Sequence, residues 1–182
     1  TAAALTVAFL AATSLGPQHR PEDPDPVPTL PTGDPPPPTI PADALRTSDG
    51  QPGLAVQYFE GVDFEKPAGR TVDSKVEHTW PGPPLANPPP GLSGFDNFSA
   101  RWEGSITAPE DGEYEIGIEY DDGGRLFLDG KLVADDWSFG PKRYKGAKIT
   151  LTRGQQLPVK VEFHQGGLDR FFRLGWRTPS EL

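Results

Sequence analysis

From Glu113 to Tyr120 the side chains alternate strictly: Tyr114, Ile116, Ile118 and Tyr120 fall on one face of an extended chain, and Glu113, Glu115 and Glu119 on the other. Successive side chains of a strand point to opposite faces, so this segment has one face to bury and one to leave in water. The same period returns in Phe98, Ala100, Trp102 and Ile106, in Val159, Val161 and Phe163, and in Phe172, Leu174 and Trp176. Asp129-Gly130 stands between Leu126-Phe127-Leu128 and Leu132-Val133. It is the kind of pair a type I′ hairpin turn requires, because both central positions need positive φ. No stretch beyond Gly53 carries a helical period. Many short strands joined by Gly, Pro and Asp turns predict an all-β sandwich or barrel.

The rest of the chain has different physics. Of 182 residues 23 are proline, most of them before residue 92, whereas Ile, Phe, Tyr and Val concentrate after residue 53. One core plus an arm is the economical division. Residues 1–16 (TAAALTVAFLAATSLG) carry no charge. As a helix they span about 24 Å, slightly short of a hydrocarbon core of about 30 Å. They read as a transmembrane anchor or the core of a signal sequence. Glu22, Asp23 and Asp25 follow His19 and Arg20, which is not the dense positive flank of a cytoplasmic segment, so the domain is expected on the periplasmic or extracellular side. Residues 17–52 hold proline too dense for helix or ladder and are expected to form an extended polyproline II spacer. Residues 53–182 form the folded module.

Composition also removes whole classes of function. A net charge of -9 with no Lys/Arg stripe excludes nucleic acid as a partner. The absence of cysteine excludes thiol nucleophiles, disulfides and thiolate metal sites. His19, His78 and His164 show no ligand spacing.

Four ordered stretches resemble a known family: GLAVQYFEGVDF at 53–64, FSARWEGSITAPEDGEYEIGIEYDDGGRLFLDGKLVADDW at 98–137, LPVKVEFHQGG at 157–167 and FRLGWRTP at 172–179. Together they are similar to the anthrax protective-antigen fourteen-kilodalton domain, which also occurs in yeast flocculin adhesins and inside many glycosidases. The resemblance implies an antiparallel β-sandwich of jelly-roll-like topology.

Asp121-Asp122 leaves the strand Glu113–Tyr120 into Gly123-Gly124, placing two hard oxygen donors at a strand end beside open backbone. Such donors suit Ca²⁺. In the sugar-binding members of the family an adjacent Asp pair joined by a cis peptide holds calcium, which in turn ligates sugar hydroxyls; Asp121 and Asp122 match that motif. Those members commonly supply an Asn after the strand corresponding to Leu157–His164. This chain reads Gln165-Gly166-Gly167-Leu168-Asp169, so Gln165 or Asp169 takes that place or the site stays empty. The competing reading is a turn whose carboxylates accept backbone hydrogen bonds. Trp137, Phe139 and Tyr144, in the Pro- and Gly-containing segment after Asp135-Asp136, are candidate contacts for a sugar face or a protein, or a plug for one end of the sandwich.

Adjacent acids diverge and cannot flank a glycosidic bond, and the chain shows no phosphate loop, nucleophile elbow or metalloprotease helix, so catalysis is not expected. Two functions stay open. One is a structural or accessory subunit of a membrane protein complex, held by the anchor and docking through arm and sandwich. The other is a calcium-dependent, lectin-like carbohydrate-binding module.

Overall fold

The computed structural model describes residues 35–80 and 87–182, so the apolar segment 1–16 and residues 17–34 of the expected spacer lie outside the described residues. Among the described residues eleven strands form two antiparallel sheets. They are β1 (Leu45–Arg46), β2 (Leu54–Glu60), β3 (Lys66–Asp73), β4 (Glu77–Thr79), β5 (Phe98–Thr107), β6 (Gly112–Asp121), β7 (Gly123–Leu128), β8 (Lys131–Asp136), β9 (Arg143–Leu151), β10 (Gln156–Gln165) and β11 (Phe171–Arg177). The larger sheet runs β3-β2-β5-β10-β7-β8, with β1 on β5 beyond the end of β2; the smaller runs β4-β11-β6-β9. Among the described residues the helical elements are two 3-10 turns, Ala42–Ala44 before β1 and Pro179–Glu181 after β11, and no helix there is long and apolar enough to cross a membrane.

The alternation read from the sequence decides which faces meet. Tyr114, Ile116, Ile118 and Tyr120 of β6 are fully buried, as are Phe98, Ala100 and Trp102 of β5, Val161 and Phe163 of β10, and Phe172 and Leu174 of β11. Each large apolar side chain so removed from water stabilises the fold by about 1.5–3 kcal/mol. Trp102 of the larger sheet stacks on Phe172 of the smaller at 4.9 Å. Its indole N–H is not abandoned in the core: Nε1 donates to Asp73 Oδ2 at 2.6 Å, the oxygen that also meets His78 Nε2 at 2.8 Å. The Asp129-Gly130 turn joins β7 to β8 with φ of 50° and 74°, the positive pair that the hairpin reading requires.

Packing against the sandwich already begins ahead of residue 53. Ile40 and Leu45 are fully buried in the core. Ile40 N–H donates to Leu174 O at 3.2 Å and Trp176 N–H donates to Pro38 O at 2.9 Å, while Leu45–Arg46 pairs with Ile106–Ser105 of β5. With Arg177 Nη2 donating to Pro35 O as well, residues 35–46 strap the edge of the smaller sheet to the larger one. Proline is compatible with this position because Pro38 only accepts there, from the Trp176 N–H, while Ile40 supplies the donor.

Candidate functional site

β6 ends at Asp121 in the smaller sheet and β7 begins at Gly123 in the larger, so Asp121 and Asp122 occupy the rim where the chain crosses between layers. The peptide between them is cis, as the family resemblance implies. Two loops converge on the pair: 137–142 between β8 and β9, and 166–170 between β10 and β11. Together they enclose an open depression of about 450 Å³ lined by Asp121, Asp122, Phe139, Gly140, Pro141, Gly167, Leu168 and Asp169.

The two carboxylates differ in what they do. Asp122 Oδ1 accepts the Gly140 N–H at 3.1 Å and Oδ2 the Gly166 N–H at 2.8 Å, so this side chain ties both loops to the strand end. Asp121 has no cationic side chain within salt-bridge reach among the described residues. Burial pushes its carboxyl above the ordinary range, and the neighbouring charges of Asp122 and Asp169 push it further. The Arg143 charge and a hydrogen bond from the Lys142 backbone N–H offset this only in part, so negative charge concentrates at the rim.

Arg143 shapes the first loop. Its Nε donates to Asp136 Oδ2 at 2.8 Å, Nη1 to Pro141 O at 2.9 Å, and Nη2 to Asp122 O at 2.9 Å and Ser138 O at 3.1 Å. At the foot of the second loop Gln165, the last residue of β10 and fully buried, donates Nε2 to Gly167 O at 3.0 Å and to Asp169 O at 2.9 Å. Both amide hydrogens are thereby committed, and the buried Oε1 accepts from no protein donor. A buried acceptor without a donor is costly, of order 1–3 kcal/mol, unless another group satisfies it.

Of the aromatic candidates, Phe139 alone stands at the depression and out in solvent, 65% exposed; Leu168, 89% exposed with φ of 71°, stands on the second loop. Trp137 is half-buried, stacked on Phe64 at 5.4 Å under the Arg125 guanidinium at 4.3 Å, with its edge against His164 at 4.6 Å. Its contacts seal the region beside the depression. His164 is buried between Trp137 and Phe139 with neither ring nitrogen bonded, and burial pushes its pKa down, leaving it a neutral filler. Tyr144 belongs to β9, not to the loop, and its hydroxyl donates to Glu115 Oε1 at 2.8 Å on the outer face of the smaller sheet.

Asp121, Asp122, Asp169 and Phe139 are thus brought together around one depression, Gln165 fixes the loop behind it, and Trp137 and Tyr144 stand apart. Sequence reasoning missed Leu168 and Arg143. A lone apolar residue in the polar stretch Gln165 to Asp169 was the available signal for the first; Arg143 offered none. Among the described residues no three His, Cys, Asp or Glu side chains are placed to hold a metal ion together. A hard cation would have to complete its shell from amide and carbonyl oxygens and water.

The sequence pattern of the PA14 domain matches residues 50–181. The chain belongs to the PA14 domain family. A probable beta-glucosidase K of Emericella nidulans is 29% identical over 155 residues, covering 76% of this chain and 17% of that protein. Among solved structures, an anti-sigma factor domain-containing protein from Clostridium clariflavum superposes with a TM-score of 0.65 at 31% identity, covering 71% of this chain and 44% of the other. The Epithelial Adhesin 9 to 1 A domain of Candida glabrata, solved in complex with beta-lactose, superposes at 0.58 with 14% identity over 80% of this chain and 88% of that one, a likeness of fold. The chain spans about a fifth of the length of the curated relatives it matches.

Proposed function

We propose that this PA14 domain is a non-catalytic carbohydrate-binding module whose sugar site is the depression at Asp121 and Asp122 and depends on Ca²⁺. The observation that carries the reading is the pairing of an under-compensated carboxylate, Asp121, with a buried amide acceptor, Gln165 Oε1, in the elements around one open depression. Gln165 Oε1 accepts from no protein donor and Asp121 forms no salt bridge among the described residues, and a hard cation is the partner that suits both. Asp121 and Asp122 would hold the ion, with Gln165 or Asp169 and loop carbonyls contributing. Bound there, calcium offers open coordination positions to vicinal hydroxyls. Phe139 presents an exposed ring suited to the apolar face of a pyranose. The kinship with a beta-glucosidase and the fold shared with an adhesin solved with beta-lactose support saccharides as the ligand class.

Calorimetric titration of the protein with glucose and lactose, in calcium and again in chelator, tests this. Heat of binding in calcium that vanishes in chelator is expected. No saccharide heat in either condition removes the proposal.

The wider setting belongs to the same proposal: residues 1–16 anchor the chain, 17–34 space it from the bilayer, and the sandwich with its Pro35–Arg46 strap is displayed on the periplasmic or extracellular side. A second reading, a subunit docking on a membrane protein complex, draws support from the likeness to a protein named for an anti-sigma factor domain. Extraction of the full chain with mild detergent separates them, since a subunit elutes with companions and a lone module does not.

A further inference from the structure

The outer face of the smaller sheet leads directly away from Asp121. Along β6 the outward positions are Asp121, Glu119, Gly117 and Glu115, alternating with the buried Tyr120, Ile118 and Ile116. Glu119 pairs with Tyr144 of β9, and Gly117 pairs with both Gly175 of β11 and Gly146 of β9, so three glycines stand in one row across three strands. That row leaves a lane with no side chains. The Tyr144 ring lies down in it: a Cβ on Gly117 or Gly146 would overlap the phenol. On the other side of the lane a Cβ on Gly175 would stand 2.6 Å from Pro37 O of the strap. The phenol is fixed from below by the two glycine backbones and at its tip by Glu115, which the Arg177 guanidinium holds in turn at 2.7 Å.

Tyr144, half-buried, lines a cavity of about 410 Å³ shared with Pro36, Glu119, Tyr120, Lys142, Arg143 and Lys145; Glu119 there accepts from Arg173 at 2.7 Å and lies 3.6 Å from the Lys142 ammonium. Lys142 directly follows Pro141, and Tyr120 directly precedes Asp121; Pro141 and Asp121 both line the first depression. Two residues of strand separate Asp121 from Glu119, about 7 Å, comparable with the length of one pyranose ring.

We infer that this cavity is a second saccharide subsite, in which the pre-set Tyr144 ring stacks on the neighbouring sugar of an oligosaccharide whose first sugar occupies the Asp121–Asp122 depression, with Lys142 and Glu119 as hydrogen-bonding edge groups. It rests on the proposed sugar site and goes beyond it by making the ligand an extended chain. The glycine row serves to seat the platform, and Pro36 makes the strap one wall of the subsite.

The experiment is calorimetric titration of the full chain, in calcium, with glucose and its β-linked di-, tri- and tetrasaccharides, on wild type, Tyr144→Ala, Lys142→Ala and Asp121→Asn. Wild type is expected to gain about three- to tenfold in affinity from mono- to disaccharide. Tyr144→Ala is expected to lose that gain while keeping glucose affinity, Lys142→Ala to lose part of it, and Asp121→Asn to lose binding at every length. If wild type gains with length and both Tyr144→Ala and Lys142→Ala keep the whole gain, the subsite is wrong and the first site stands. Wild type that binds no saccharide of any length overturns both. Lys142 is exposed and its pairing with Glu119 is a surface one, so its truncation is expected to spare the fold, and a failure of Tyr144→Ala to fold still leaves a decisive variant.

Discussion

Asp136 illustrates how single side chains set the rim. Burial raises its pKa, but hydrogen bonds from Ser138, Arg143 and Tyr120 outweigh that, and the carboxyl is held below its ordinary value. A depressed carboxyl contributes stability that is present above its unfolded pKa and lost as pH falls through the folded one. Asp136→Asn is expected to cost about 1.5–3 kcal/mol at neutral pH. Urea unfolding of wild type and variant should show the gap closing at pH values below the ordinary Asp pKa of about 3.9. The sequence carried Asp121 and Asp122 plainly, because adjacent acids before two glycines are unusual and sit at the end of a strand whose period is unmistakable. It did not carry Arg143, which gathers Asp136, Ser138 and Pro141 only once their loop curls around the guanidinium and brings it to Asp122 O at the end of β6. Tyr144 is not legible as a strand residue because Gly140-Pro141 breaks the chain just before it and glycine at 146 hides the strand alternation.

Strands and turns were legible wherever their partners imposed a local period. The hairpin at Asp129-Gly130 is one such element, and its positive φ values give a direct test. Gly130→Val, a β-branched residue at φ of 74°, is expected to lower the midpoint of thermal unfolding through a cost of at least about 1 kcal/mol, although a side chain there meets open space. The strap was not legible, since Ile40 and Leu45 stand among prolines and their partners lie far along the chain, on β11 and β5. Nothing local distinguishes two such apolar residues from those of a solvated spacer. Because Ile40 is fully buried, Ile40→Ala is expected to destabilise the sandwich by about 2–5 kcal/mol in denaturant unfolding, whereas a true spacer residue would cost nothing.

For the whole molecule, two sheets provide a rigid base and three chain segments at one rim provide the chemistry. Tight calcium binding to the native state alone stabilises it by mass action, about 2.7 kcal/mol at a hundredfold excess over Kd. Calorimetric scans should then show a rise in Tm on the order of 5–10 °C in calcium, absent in Asp121→Asn. Two elements make the rim receptive: the carboxyl of Asp121, left without a cationic partner, and the exposed ring of Phe139 beside it. The most direct measurement is a crystal of the protein soaked with calcium and lactose. Density for an ion in contact with Asp121 and Asp122, with a sugar ring against Phe139, is the expected result. A sugar seated elsewhere on the sandwich, with the Asp121–Asp122 depression holding only water, contradicts the account.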